Sequence, residues 1–172
     1  MNSPAHMKAR LEVDPLVVEV AVGGVCVASH PQSLTTLALG SCVGVALWDE
    51  GRGCGAMAHV MLPCASQTTP DRESARFASW AVPELVRMLV ESGSDPRSLC
   101  AKIAGGAAMF RSNSTTTPVG QRNVAEVRHQ LEVAGIPLCA EDTGGGHART
   151  IELHLDSGVL SVRSYRLGLR HL

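Results

Sequence analysis

Short apolar runs separated by glycine or polar turns make up the first third of the chain. They cover residues 16–22, 25–29, 35–39, 43–48 and 54–62. Runs of this length, rich in valine and bounded by turn residues, predict β-strands. Because paired glycines, Gly23 and Gly24, separate the first two runs, we predict that these runs form a β-hairpin.

The spacing of apolar residues changes to that of an amphipathic helix between residues 72 and 91. Pro83 lies inside this segment and removes a backbone donor, so we expect the helix to kink or restart there. A serine- and threonine-rich stretch at 110–121 predicts a long polar loop. Helical spacing then returns over 124–134, and Gly135 ends this second helix.

Four further strands are predicted after the first helix, at residues 99–104, 136–140, 150–155 and 159–165. The Asp156-Ser157-Gly158 segment joins the last two strands as a hairpin turn. The order of elements predicts an α/β domain of the α+β kind, with a mixed, mainly antiparallel sheet or sandwich and two principal helices. We expect one domain over 16–172, preceded by a flexible arm at 1–15.

Composition narrows the classes of function. Hydrophobic residues make up 45% of the 172 residues and charged residues 18%, which is enough apolar material for a core. A formal net charge of -1 and an aromatic content of 3% argue against nucleic-acid binding. No segment approaches the roughly 18 apolar residues that span a bilayer, and the first 15 residues contain no signal-peptide core. We therefore expect a cytoplasmic protein with no membrane insertion and no nucleic-acid partner.

The six cysteines are spread along the chain without a CxxC pair. This spacing argues against a disulfide framework and a zinc ribbon. A thiol-redox or zinc protein is therefore the less favoured alternative. Metal analysis of the purified protein would distinguish it from the other candidates. Glu141, Asp142 and His147 are the candidate metal ligands, but three such residues in a glycine-rich turn are weak evidence. We predict no metal and no cofactor.

Cys42 is the first candidate for chemistry, because it follows a Gly-Ser turn at the start of a predicted strand, where backbone N–H groups can stabilise an anion. His59 lies on the next strand. If Glu50 and Gly51 form a two-residue hairpin turn, Cys42 faces His59 directly, on the same face of the sheet. A slip of two residues keeps the pair diagonal on one face, whereas a slip of one separates them.

A thiol beside an imidazole is the minimum unit of nucleophilic catalysis by cysteine, since the thiolate is the reactive species. A third group must orient the imidazole. Thr36, on the preceding strand, is the candidate, with Thr35 and Ser41 as alternatives. Cys64, which follows Pro63 in a predicted loop, is the rival nucleophile.

The chain resembles a known family in five segments that occur in order from about residue 17 to residue 164. They read TTLALGSCVGVALWD, GAMAHVMLP, AKIAGGAAMF, VGQRN and EDTGGGHARTIELHLDSG. These segments are similar to the chemoreceptor glutamine deamidases, the CheD family. The resemblance implies a fold shared with deamidating toxins. It also implies hydrolysis of the side-chain amides of selected receptor glutamines to glutamate.

By motif position, the resemblance implies Cys42 as nucleophile, His59 as base and Thr36 as the residue that orients the base. Cys42 thiolate then attacks the carboxamide, backbone N–H groups of Ser41 and Cys42 hold the oxyanion, and a thioester forms. The implied partners are the cytoplasmic helices of chemoreceptors, together with a CheC-type phosphatase. Binding of that phosphatase is the alternative function, as a regulatory binding module. The segment from Cys64 and the proline in the first helix depart from the family pattern, and this departure concerns the partner or substrate surface more than the chemistry.

Overall fold

The structure of the protein is a computed structural model that describes residues 16–109 and 116–172. The predicted arm at residues 1–15 and part of the predicted polar loop, residues 110–115, lie outside the described residues. Among the helices of the described segments, none has the length and apolar character needed to cross a membrane.

The described residues form ten β-strands and two α-helices. The strands are β1 (Val17–Glu19), β2 (Val25–Ser29), β3 (Ser33–Leu39), β4 (Val43–Asp49), β5 (Cys54–Val60), β6 (Leu99–Gly105), β7 (Leu138–Thr143), β8 (Arg149–His154), β9 (Leu160–Ser164) and β10 (Gly168–His171). The helices are α1 (Ala78–Glu91) and α2 (Val119–Ala134), and a short 3₁₀ turn at Pro96–Ser98 precedes β6.

Two five-stranded sheets and the helices form three layers. The first sheet has the strand order β1-β3-β8-β9-β10, and the second has the order β2-β5-β4-β6-β7. One apolar cluster fills the space between the sheets, and a second lies between the second sheet and both helices. All strand pairs are antiparallel except β1 with β3 and β6 with β7. The predicted α+β class, with a mixed, mainly antiparallel sandwich and two principal helices, is confirmed.

The second sheet is the middle layer, so its central strands are buried on both faces. Every residue of β5 is buried, as are six of the seven residues of β4. Such strands carry apolar or small residues at consecutive positions instead of an alternating pattern. This burial removes His59, in β5, from bulk water.

The predicted β1–β2 hairpin is wrong. The two strands belong to different sheets, with β1 parallel to β3 and β2 antiparallel to β5. The glycines between them turn the chain from one layer to the other: Gly23 donates its N–H to the carbonyl of His59, and His59 donates its own N–H to Gly24. Pairing with the buried strand β5 therefore replaces pairing between β1 and β2.

Both helices differ from their predicted bounds. Helix α1 begins at Ala78 instead of residue 72, and it continues through Pro83 without a restart. Pro83 is exposed, and its missing N–H leaves the carbonyl of Ser79, a half-buried residue, without a helical partner. Helix α2 begins at Val119, inside the predicted polar loop, and Gly135 in left-handed conformation ends it as predicted. The sequence pattern did not predict strand β10.

Candidate active site

The predicted site residues lie on or directly beside three consecutive strands. Thr36 lies on β3 in the first sheet, whereas His59 lies on β5 in the second sheet. Cys42 immediately precedes β4, the neighbour of β5. The site therefore lies where the two sheets face each other, at the end where β4 begins.

The predicted contact between Thr36 and His59 is present. The Thr36 hydroxyl lies 2.8 Å from Nδ1 of His59, and both residues are almost completely buried. Of the alternatives for this role, Thr35 donates its hydroxyl to the carbonyl of Ile151 and is engaged elsewhere. Thr36 is thus the threonine that contacts the imidazole.

A second bond of the Thr36 hydroxyl determines which ring nitrogen of His59 carries the proton. The hydroxyl oxygen lies 2.7 Å from the carbonyl oxygen of Val20, which can only accept a hydrogen bond. The single hydroxyl hydrogen is therefore donated to Val20, and the hydroxyl oxygen accepts the Nδ1–H of His59. In the neutral ring this leaves Nε2 as the basic nitrogen.

The predicted register between β4 and β5 is wrong by two residues. Asp49 pairs with Cys54, so a four-residue loop with Gly53 at positive φ joins the strands in place of a two-residue turn. His59 consequently pairs with Gly44. Cys42 is displaced by two positions from the residue opposite His59, and this even displacement preserves the alternation of faces along the strand.

Backbone hydrogen bonds hold the segment that carries Cys42. Ala107 donates to the carbonyl of Gly40 at 2.8 Å, and Gly106 donates to the carbonyl of Cys42 at 2.7 Å. Gly105 must be a glycine, because its φ is +114° and a methyl group there would lie 2.2 Å from the Cys42 oxygen. The end of β6 therefore fixes the backbone of the candidate nucleophile.

Burial favours the neutral forms of both the candidate nucleophile and the candidate base. Burial raises the pKa of the half-buried Cys42 thiol above its ordinary value, and a hydrogen bond with its own backbone N–H opposes this shift only in part. Burial also lowers the pKa of His59. A resting thiolate–imidazolium pair would show the opposite directions, so the structure favours a base that removes the thiol proton during attack.

Sequence reasoning missed Asn123. This wholly buried residue of α2 donates hydrogen bonds to the backbone carbonyls of Ser41 and Met61, each at 2.9 Å. It belongs to the segment VGQRN, which carried part of the family resemblance without any single residue being selected from it. A polar, short side chain on the apolar stripe of a helix was the signal that could have identified it.

A cavity of about 420 Å³ opens beside the segment that carries Cys42. Its lining includes Ser41, Met109, Val119 and Arg122. The described lining of the cavity is mainly apolar, and Arg122 contributes a charged side chain to it. An extended side chain, such as that of glutamine, fits in a cavity of this size.

The other candidate groups lie apart from this arrangement. Asp142, a candidate metal ligand, is buried and instead forms ion pairs with Arg149 at 2.8 Å and Arg170 at 3.0 Å. Within residues 16–109 and 116–172, no group of three or more His, Cys, Asp or Glu side chains is placed to hold a metal ion. Cys100 has the thiol of Cys139 beside it, on the neighbouring strand, and burial together with this neighbour raises the pKa of Cys100 to about 11.

The family model and the individual proteins to which this chain is similar agree with each other. Residues 61–164 match the family model described as CheD chemotactic sensory transduction. A protein of Methanococcus maripaludis named "Probable chemoreceptor glutamine deamidase CheD" is 40% identical over 149 residues, covering 87% of this chain and 96% of that one. A Moorella thermoacetica protein of the same name is 43% identical over 155 residues, covering 88% and 93%.

A Geobacter metallireducens protein named "Probable chemoreceptor glutamine deamidase CheD 2" is 41% identical over 159 residues, covering 91% of this chain and 98% of that one. Among solved structures, the Bacillus licheniformis hypothetical protein YfiH is similar over 69% of this chain and 49% of that one. Its TM-score is 0.47 and its sequence identity is 18%.

Proposed function

The chain belongs to the CheD family, and from that premise we propose that it hydrolyses side-chain amides of chemoreceptor glutamines to glutamate, with Cys42 as nucleophile. The observation that carries this proposal is the 2.8 Å contact between the Thr36 hydroxyl and Nδ1 of His59, because it leaves Nε2 as the basic nitrogen. His59 pairs with Gly44, two residues after Cys42. The names of the relatives supply the substrate.

In the first half of the reaction, Nε2 of His59 takes the thiol proton of Cys42 while the sulfur attacks the glutamine carboxamide carbon. The backbone N–H groups of Ser41 and Cys42 stabilise the oxyanion of the tetrahedral intermediate. The C–N bond then breaks, and His59 returns the proton to the leaving nitrogen, which departs as ammonia. A thioester between Cys42 and the substrate remains.

In the second half, His59 takes a proton from water, and the resulting hydroxide attacks the thioester carbon. The C–S bond breaks, the proton passes back to the sulfur of Cys42, and glutamate is released. The net reaction consumes one water and releases one ammonia for each glutamine. These steps use side chains and backbone of this chain, without a metal or an organic cofactor.

Deamidation adds one negative charge to a receptor helix in the cytoplasm, where we place the protein. A charge change of this kind alters the packing and signalling state of a helical bundle through local electrostatics. Regulation of a CheC-type phosphatase is a separate proposal. It is tested by whether Cys42→Ala, which lacks the nucleophile, still binds and alters such a phosphatase.

The experiment that tests the proposed function is incubation of the purified chain with a cytoplasmic chemoreceptor fragment. Peptide mass spectrometry and an ammonia assay then follow amide-to-acid conversion. Conversion at defined glutamines, with an equal yield of ammonia, is expected from the wild type and not from Cys42→Ala. A receptor in which those glutamines are replaced by asparagine is the matched substrate control. Equal conversion by the wild type and Cys42→Ala would overturn the assignment of the nucleophile.

A further inference from the structure

Asn123 joins two chain segments that the sheet does not join. Its amide nitrogen donates one hydrogen to the carbonyl of Ser41 and the other to the carbonyl of Met61, each at 2.9 Å. Both partners are carbonyl oxygens, which only accept, so the orientation of the amide group is determined chemically. Both hydrogens of the side chain are used in these two bonds.

These two carbonyls lie just beyond the end of the β4–β5 ladder. The last pair of that ladder is Val43 with Val60. Ser41 immediately precedes Cys42, and Met61 lies two residues after His59. The Asn123 amide therefore provides a cross-link where backbone pairing has stopped, between the segment of the candidate nucleophile and the strand of the candidate base.

The surroundings of Asn123 make this cross-link rigid. The residue is 0% exposed, and its Oδ1 has no hydrogen-bond partner although it is buried. A buried acceptor without a partner is energetically unfavourable. The benefit of an asparagine at this position therefore comes from the two hydrogen bonds that its amide nitrogen donates. Gly120, one turn earlier, allows close contact of α2 with the segment that follows β6, since a methyl group there would lie 2.6 Å from the Gly106 oxygen.

We propose that Asn123 is a positioning residue, which holds the Cys42 thiol within reach of Nε2 of His59 by cross-linking Ser41 and Met61. The role in turnover rests on the proposed function, whereas the alignment of thiol and imidazole is measurable without a receptor. Loss of the two donors removes the direct link between the segments, while Gly106 and Ala107 still hold the Cys42 segment to the end of β6. We expect a shift of the two segments relative to each other, and a misplacement of about 1 Å lowers a rate by about 10²-fold.

The experiment compares four proteins: wild type, His59→Ala, Asn123→Ala and Val127→Ala. Val127 is a wholly buried core residue of the same helix, one turn further on, so its variant is the matched control for loss of packing. Alkylation of Cys42 by iodoacetamide is followed by peptide mass spectrometry as a function of pH, and near-UV circular dichroism reports the fold. Deamidation kcat and KM are measured in parallel on the receptor fragment.

Between the ionisations of His59 and Cys42, alkylation proceeds through the form in which the thiol proton has moved to the imidazole. The wild type and Val127→Ala are therefore expected to show a rate plateau that His59→Ala lacks. Asn123→Ala is expected to lose that plateau while remaining folded, and to lower kcat by about 10²-fold with KM unchanged.

A folded Asn123→Ala protein that keeps the wild-type alkylation profile would overturn the proposal. If Asn123→Ala does not fold, Asn123→Leu, which preserves the approximate shape and brings neither the two donors nor a buried charge, is measured in the same way. Loss of the fold in both variants would show a general structural role and overturn the positioning role. Absence of deamidation by the wild type together with an intact plateau would refute the proposed function and leave the positioning role supported.

Discussion

Thr36 and His59 form a hydrogen bond of 2.8 Å across the boundary between the two sheets. The threonine belongs to the first sheet and the histidine to the second sheet, which is the middle layer. Neither side chain has access to bulk water. The orientation of the imidazole is consequently a property of how the sheets pack, as well as of the two residues themselves.

The first prediction concerns the hydroxyl of Thr36. Thr36→Val preserves the shape but leaves the Val20 carbonyl and the Nδ1–H of His59 without partners, at a cost of about 1–3 kcal/mol for each buried group. We expect unfolding by urea at lower concentration and deamidation slowed by about 10²-fold, from misorientation of the ring. Thr36→Ser keeps the hydroxyl and is the control. Equal kcat in Thr36→Val and the wild type would show that another group orients His59.

The second prediction concerns the base. His59→Ala is expected to lower kcat by about 10²- to 10⁴-fold, the usual contribution of general acid–base catalysis. In the wild type, burial lowers the pKa of His59 below 6.5, so the neutral base persists into mildly acidic solution. The acid limb of kcat/KM is therefore expected below pH 6.5. An acid limb at or above pH 6.5 would contradict the neutral resting site.

The same pKa shift predicts how stability depends on pH. Because the folded-state pKa of His59 lies below its unfolded value, the unfolded chain takes up the proton first. The contribution of His59 to the free energy of unfolding is thus complete above pH 6.5 and is lost as the pH falls through the folded-state pKa. Urea titrations should show a weaker loss toward acid in His59→Ala, whereas His129→Ala, at an exposed histidine, should retain the wild-type slope.

The third prediction separates the two rival nucleophiles. Cys42→Ala is expected to abolish deamidation with little change in the thermal midpoint, since the residue is half-buried and the lost volume is small. Cys64→Ala is expected to retain full activity, because Cys64 is exposed. Rates on the receptor fragment and thermal melts of both variants provide the measurement. The reverse pattern of activities would assign the chemistry to Cys64.

The fourth prediction tests the distance between the sheets. Gly44 pairs with His59 on the adjacent strand. A methyl group added to Gly44 would lie 2.4 Å from Cδ1 of Ile151 in the first sheet. Gly44→Ala is expected to push the sheets apart, costing about 1–3 kcal/mol as overpacking does. The Thr36–His59 bond lengthens with it, so activity falls more than folded population does. Gly44→Ala with Ile151→Val, which removes the contacting methyl, should restore part of both. No recovery in the double variant would refute this explanation.

Features governed by local sequence were predictable. Gly135 ends α2, and the turn at residues 156–158 joins β8 and β9, because backbone conformation at each place depends on one or two residues. The loop between β4 and β5 was predicted wrongly, since a positive φ at Gly53 gives four residues in place of two. The two-position error left Cys42 on the face of the second sheet that is turned toward the first sheet, where His59 also lies.

Features governed by packing between layers were not predictable from pattern. The glycines at 23 and 24 are compatible with a hairpin, and the pairing of β2 with β5, in the other sheet from β1, directs them elsewhere. The role of Asn123 depends on contacts with Ser41 and Met61, residues distant in sequence. No periodicity along one segment contains that information. The position of Thr36 beside His59 was predictable only because the two strands that carry them are close to Cys42 in sequence. Strand β3 precedes Cys42, and β5 follows it.

Because burial favours the neutral forms of Cys42 and His59, it also affects the rate at which the Cys42 thiol is oxidised or alkylated. A thiol that keeps its proton reacts slowly with peroxides, quinones and other scavengers of thiolates, which attack the ionised form. The form in which the proton has moved to His59 is a minor population, so reaction with such reagents through it stays slow. With Cys42 as the proposed nucleophile, the burial that keeps the imidazole of His59 basic therefore also lengthens the time for which the thiol stays intact between encounters with a receptor.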